Sequence, residues 1–89
     1  MVPVSEADAM VRVRLFAAAK AAAGVAELDV APGTVASISD GLIAIHPQLA
    51  LVLPLCSFLI DGMQSSRPVG LAAVEGGSIL DVLPPFAGG

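Results

Sequence analysis

A chain of 89 residues is long enough for one domain and too short for two, and at that size folding buries only about two thirds of the unfolded surface, which leaves little room for a walled catalytic cleft. A composition that is 56% hydrophobic and 13% charged excludes a disordered or solvated tail. The net charge of -4, with Arg12, Arg14, Lys20 and Arg67 as its only basic residues, excludes a basic stripe for nucleic acid and suits docking on a basic protein surface.

Met1 to Met10 carries Glu6 and Asp8 and lacks the basic start and apolar run of a secretory signal, so residues 1–10 are expected to be a disordered leader on a cytoplasmic protein. Val11 to Phe16 alternates, with Val13 and Leu15 on one side and Arg12, Arg14 and Phe16 on the other, which is the period of a half-buried strand. Ala17 to Ala23, stopped by Gly24, fits a short helix or a turn equally well. Glu27 to Val30, closed by Pro32 and Gly33, fits the outer strand of a hairpin. Thr34 can cap a main helix in which Val35, Ile38, Leu42 and Ile45 share one face until Pro47 stops it. Gly41 inside that helix costs about 1 kcal/mol relative to alanine.

Leu49 to Ile60 is the most apolar passage, but Pro54 and Ser57 interrupt it and it falls short of the roughly 20 residues a membrane span needs, so it is expected to be core. Phe58 to Asp61 is a strand running into an Asp61-Gly62 turn, and Ile79 to Leu83 is a last strand halted by Pro84 and Pro85. The order of elements predicts an α+β domain over residues 11–83, followed by a tail over 84–89.

Cys56 and His46 are each the sole residue of their kind, which excludes an internal disulfide and leaves no ligand set for structural zinc. Cys56, in an apolar stretch, is expected to be a buried inert thiol, and His46 to end a helix. The tail carries more chemistry. Pro84-Pro85 fixes a stiff extended segment, Phe86 is a natural anchor, and Ala87-Gly88-Gly89 is a tip narrow enough for a tight channel, with a carboxylate at its end. Two glycines alone would signify little; after Pro84, Pro85 and Phe86 they have the form of a reagent.

Leu83-Pro84-Pro85-Phe86-Ala87-Gly88-Gly89, together with Val13-Arg14-Leu15-Phe16-Ala17, resembles the MoaD/ThiS family of ubiquitin-like sulfur carriers. The paired prolines favour the small subunit of molybdopterin synthase, although carriers for thiamin thiazole and cysteine synthesis also end in Gly-Gly. The resemblance implies a ubiquitin-like β-grasp fold: a mixed sheet packed on one main helix, with an extended C-terminal tail. It also implies that a ubiquitin-activating-type enzyme adenylates Gly89 with ATP, and that a sulfur donor then displaces AMP to leave a thiocarboxylate. In the molybdopterin branch the tail, with Gly88 and Gly89 at its tip, enters the large catalytic subunit, which supplies the catalytic groups in a heterotetramer. No bound cofactor is expected of the carrier itself. The alternatives are a ubiquitin-like protein modifier joined to targets through Gly89, and a noncatalytic β-grasp interaction module.

In a β-grasp sheet the first and last strands are neighbours, which would turn Phe16 and Leu83 outward, away from Val13, Leu15, Leu80 and Val82. Phe16, Leu83, Pro84, Pro85, Phe86 and Ala87 are then the candidate partner-binding residues, unless Phe16 and Leu83 cover a second small core under a loop. Asp81, where the family commonly has a small or apolar residue, is expected on the outer face in an exposed pair with Arg12 or Arg14. The Glu75-Gly76-Gly77 loop replaces a turn that is usually more acidic in the family.

Overall fold

Alternation of apolar and charged side chains makes Val11–Leu15 a strand, β1, whose Val11, Val13 and Leu15 are almost completely buried while Arg12 points away. In the computed structural model, residues 10–64 and 69–84 are described; the expected leader apart from Met10, and Pro85, Phe86, Ala87, Gly88 and Gly89, lie outside the described residues. β1 pairs antiparallel with β2 (Glu27–Val30) and parallel with β6 (Ile79–Leu83), and β6 pairs antiparallel with β4 (Ser57–Ile60). The sheet order is therefore β2-β1-β6-β4, with the first and last strands side by side at its centre. This mixed sheet packed on a main helix is the β-grasp arrangement that the resemblance implied. A second sheet joins β3 (Gly33–Thr34) to β5 (Ala73–Val74); strands of two residues are too short to show alternation in sequence.

The alanine-rich run is a helix, α1 (Ala17–Ala23), which settles the choice left open by its composition. Gly24 ends it at φ 76, its N–H donating to the Lys20 carbonyl at 2.8 Å. At the other end Phe16 is extended and Ala17 takes a φ of 53, a left-handed step that turns the chain from strand to helix.

The main helix, α2 (Val35–Ile45), starts as its sequence predicts: the Ser37 N–H donates to Thr34 Oγ1 at 3.1 Å. Val35, Ile38 and Leu42 face the core, but Ile45 is 58% exposed, contrary to the helical spacing. Pro47 has no N–H to continue the ladder, so the chain turns at His46, whose N–H closes the helix on the Leu42 carbonyl at 2.8 Å. The following 3-10 turn, Pro47–Leu51, then delivers the fully buried Leu49 to the core in place of Ile45. His46 occupies the helix-terminal position expected of it. The core joins Val11, Val13, Leu15, Leu80 and Val82 of the sheet to Val35, Ile38 and Leu42 of α2, closed by Leu49 and Leu53. No helix among the described residues is long and apolar enough to cross a membrane.

β4 ends in a two-residue turn in which Asp61 and Gly62 take φ values of 50 and 83, the left-handed pair of a type I′ hairpin. Ile60 and Met63 exchange backbone hydrogen bonds of 3.0 Å across it. The Asp61 carboxylate accepts the Ile79 N–H at 2.9 Å, tying this turn to the start of β6.

Three measurements check this account. A methyl group on Gly41 meets no heavy atom within 4 Å, so Gly41→Ala is expected to raise unfolding free energy in urea by about 1 kcal/mol. Gly24→Ala, forced to hold φ 76, is expected to lower it by a similar amount, about 1 kcal/mol. The hydrogen bonds from the Ile79 N–H and the Ser78 side chain hold the Asp61 carboxyl below its ordinary value. The stability it contributes is complete above the ordinary carboxylate range and is lost as pH falls through the lowered value. Asp61→Asn, which keeps an acceptor and tolerates the left-handed backbone, should therefore flatten the acid side of the stability-against-pH curve.

Candidate functional site

Strand alternation gives the sheet an inner face against α2 and an outer face bearing Glu27 and Asp29 of β2, Arg12 and Arg14 of β1, Ile79, Asp81 and Leu83 of β6, and Leu59 of β4. Register decides which of these meet. Arg12 lies opposite Asp29 and its Nε donates to that carboxylate at 2.6 Å, while Nη1 reaches Glu27 at 2.8 Å. Arg14 lies opposite Asp81 across the parallel pair and grips both of its oxygens, Nε at 2.5 Å and Nη2 at 2.8 Å. Hydrogen bonds to these carboxylates, and then their charge, raise the pKa of both guanidinium groups above the ordinary arginine value.

The expectation of an exposed Asp81 needs correction, for this residue is only 6% exposed. It sits on a central strand between Arg14 and Leu59, with both carboxylate oxygens accepting hydrogen bonds from the guanidinium. Burial makes the pair obligatory. A carboxylate stripped of water is costly to leave alone, so Asp81 depends on Arg14 much more than a solvated surface pair would.

The outer face is thus charged on its β2–β1 side and, apart from Ser57 and the Arg14-paired Asp81, apolar on its β6–β4 side, where Leu59, Ile79 and Leu83 are each half-buried. Phe16 follows β1 and is 40% exposed, its N–H donating to the Val82 carbonyl at 3.1 Å. The structure therefore brings Phe16, Leu83 and Pro84 to the same end of the two central strands, where the C-terminal segment begins. Pro85, Phe86, Ala87, Gly88 and Gly89, the other candidate site residues, lie outside the described residues.

Sequence reasoning missed a feature beside this end. Phe16, the start of α1, Leu55, Cys56 and Pro84 line an apolar groove of about 170 Å³. Leu55 is 67% exposed and its neighbour Leu51 82% exposed, although both fall in a passage expected to be core. Consecutive 3-10 turns cause this, because they present Leu49 and Leu53 inward and leave Leu51 and Leu55 outside. Cys56 is half-buried where full burial was expected, and its Sγ donates to the Val52 carbonyl at 3.3 Å. Desolvation raises its pKa, so at neutral pH it remains a thiol, a weak nucleophile. Among the described residues no three His, Cys, Asp or Glu side chains gather as a metal ion would require.

No family model matches the chain, and no curated protein matches it. Solved structures do. Small archaeal modifier protein 1 from Methanosarcina acetivorans superposes with a TM-score of 0.74 at 27% identity, covering 91% of this chain and 97% of its own. The putative molybdopterin converting factor subunit 1 from Pyrococcus furiosus gives a TM-score of 0.74 at 17% identity, over 88% of this chain and 99% of its own. A complex of subunits 1 and 2 of the molybdopterin-converting factor from Helicobacter pylori gives 0.63 at 18% identity, over 90% and 99%. At those lower identities the likeness concerns the fold.

The dependence of Asp81 on Arg14 is open to a direct check. Arg14→Met should lower the melting temperature by stranding a buried carboxylate, and adding Asp81→Leu to the same chain should restore it to the starting value or above.

Proposed function

We propose that this MoaD/ThiS-like chain, whose structural neighbours are small archaeal modifiers and molybdopterin converting factor subunits, is a sulfur carrier working through the carboxylate of Gly89, as the small subunit of a molybdopterin synthase. A carboxylate is a poor electrophile because its leaving group would be oxide. Attack of the Gly89 carboxylate on the α-phosphorus of ATP, with loss of pyrophosphate, replaces that with AMP, and a sulfur donor then displaces AMP to give a thiocarboxylate. The sulfur anion is the better nucleophile, and it is the cargo. Activation belongs to a separate adenylating enzyme and sulfur consumption to a large catalytic subunit, in a cytoplasmic heterotetramer. The carrier itself contributes a tail and a docking face and binds no cofactor.

The observation that carries this proposal is the meeting of Phe16, Leu83 and Pro84 at the root of a segment ending Phe86-Ala87-Gly88-Gly89. An apolar end on the central strands gives a partner something to hold, and the glycines beyond it give a tip that fits where side chains cannot. Support for a large-subunit partner comes from the fold shared with subunit 1 in the Helicobacter pylori complex. Phe16, Leu83, Pro84, Pro85, Phe86 and Ala87 form the partner-binding set, with Gly88 and Gly89 at the reacting end. Carriers for thiamin thiazole or cysteine synthesis share this chemistry and differ in the acceptor.

A second proposal is favoured by one observation: identity to the archaeal modifier is 27%, against 17% to the Pyrococcus furiosus subunit. A modifier uses the same adenylate but passes Gly89 to a lysine amine of a target.

With the activating enzyme of its own source, the chain should stimulate ATP–pyrophosphate exchange, a chain lacking Gly89 should not, and Gly88→Ala should lose about 100-fold while melting unchanged. Equal exchange without Gly89 would sink both proposals. Lysine residues bearing an Ala-Gly-Gly remnant, left by chymotryptic cleavage after Phe86 in digests of cell extract and dependent on this chain, would select the modifier over the carrier.

A further inference from the structure

The groove beside the root of the tail has a size and chemistry that specify its occupant. Its volume of about 170 Å³ has no polar surface, and Phe16, Leu55, Cys56 and Pro84 contribute to its walls. An apolar cavity of about 150 Å³ stays dry and accepts a benzene ring, so this groove fits one aromatic side chain. Phe16 can supply the edge or face contact that aromatic pairs prefer.

The chain holds three phenylalanines and neither tryptophan nor tyrosine. Phe16 is part of the wall, and Phe58 packs from β4 against the buried core. The remaining ring is Phe86, two residues beyond a proline that itself lines the groove. Two residues span at most about 7 Å, so from Pro84 the ring cannot be placed far from the opening.

We propose that this groove is an intramolecular seat for the Phe86 ring, which holds the C-terminal segment against the domain until a partner draws it out. The seat is distinct from the chemistry assigned to Gly89 and stands without it. It gives any partner that grips the tail a competition to win, and it shields an apolar surface that the free protein would otherwise expose.

Cys56 in the groove wall provides the readout, using the full chain alone. Alkylation by iodoacetamide should run about tenfold faster in Phe86→Ala than in the wild type at the same melting temperature, the change expected for uncovering a ring-sized apolar contact. Leu55→Asn, a neutral polar change at an exposed position on the groove wall, should give the same acceleration, with no further gain when combined with Phe86→Ala. In methyl spectra the Leu55 signals should lose a ring-current shift in Phe86→Ala. Equal alkylation rates in wild type and Phe86→Ala, with unmoved Leu55 methyls, would overturn the proposal. Protection that disappears on dilution would also overturn it, since the ring would then come from a second copy of the chain.

Discussion

The parallel pairing of β1 with β6 is the constraint on which the rest of the molecule depends. Parallel neighbours cannot be joined by a tight turn, so the chain between them must cross over and return, and α2 supplies that crossing. Placing the last strand at the centre of the sheet has a further effect. The C-terminal segment leaves from the middle of the domain, where β1 and β4 flank it, and not from a frayed edge. The same pairing puts the Phe16 N–H on the Val82 carbonyl and Arg14 against Asp81, so the apolar end and the part-buried ion pair have one origin.

The Arg14–Asp81 pair shows how charge shapes that surface. An apolar pair would satisfy the sheet at least as well, because the attraction of a part-buried ion pair is spent largely on the desolvation of its buried member, here Asp81. What the pair adds is a boundary. On one side Arg12 gathers Glu27 and Asp29, and on the other Leu59, Ile79 and Leu83 remain apolar. A partner lying across this face meets a patterned surface, and a wholly apolar counterface would leave the polar groups of the charged half without acceptors or donors.

Much of this was legible in the sequence because the signals were local. The alternation of Val11 to Leu15, the Thr34 cap and the Asp61-Gly62 turn each depend on a few adjacent residues, and each occurs where its pattern places it. Phe16 and Leu83 could be assigned to one end of the molecule once the first and last strands were taken as neighbours, a step that came from resemblance and not from periodicity. The misplaced residues are those whose fate was decided at a distance. Ile45 kept its helical spacing yet lost its core position to Leu49, which arrives after a proline-enforced turn. Leu51 and Leu55 looked like core because hydropathy does not distinguish a strand from 3-10 turns. Asp81 was assigned to solvent because alternation gives a face and says nothing of what covers it. The groove at the root of the tail is formed by three separated segments and left no trace in any of them.

The proposed role of the domain as a handle and of the Gly89 carboxylate as the reagent rests on a change of one atom. Intact mass after incubation with ATP, a sulfur donor and an extract of the source cells tests it most directly. The account predicts a gain of about 16 Da, the exchange of one oxygen for sulfur at Gly89. No gain, under conditions in which a known carrier in the same extract is converted, would contradict it.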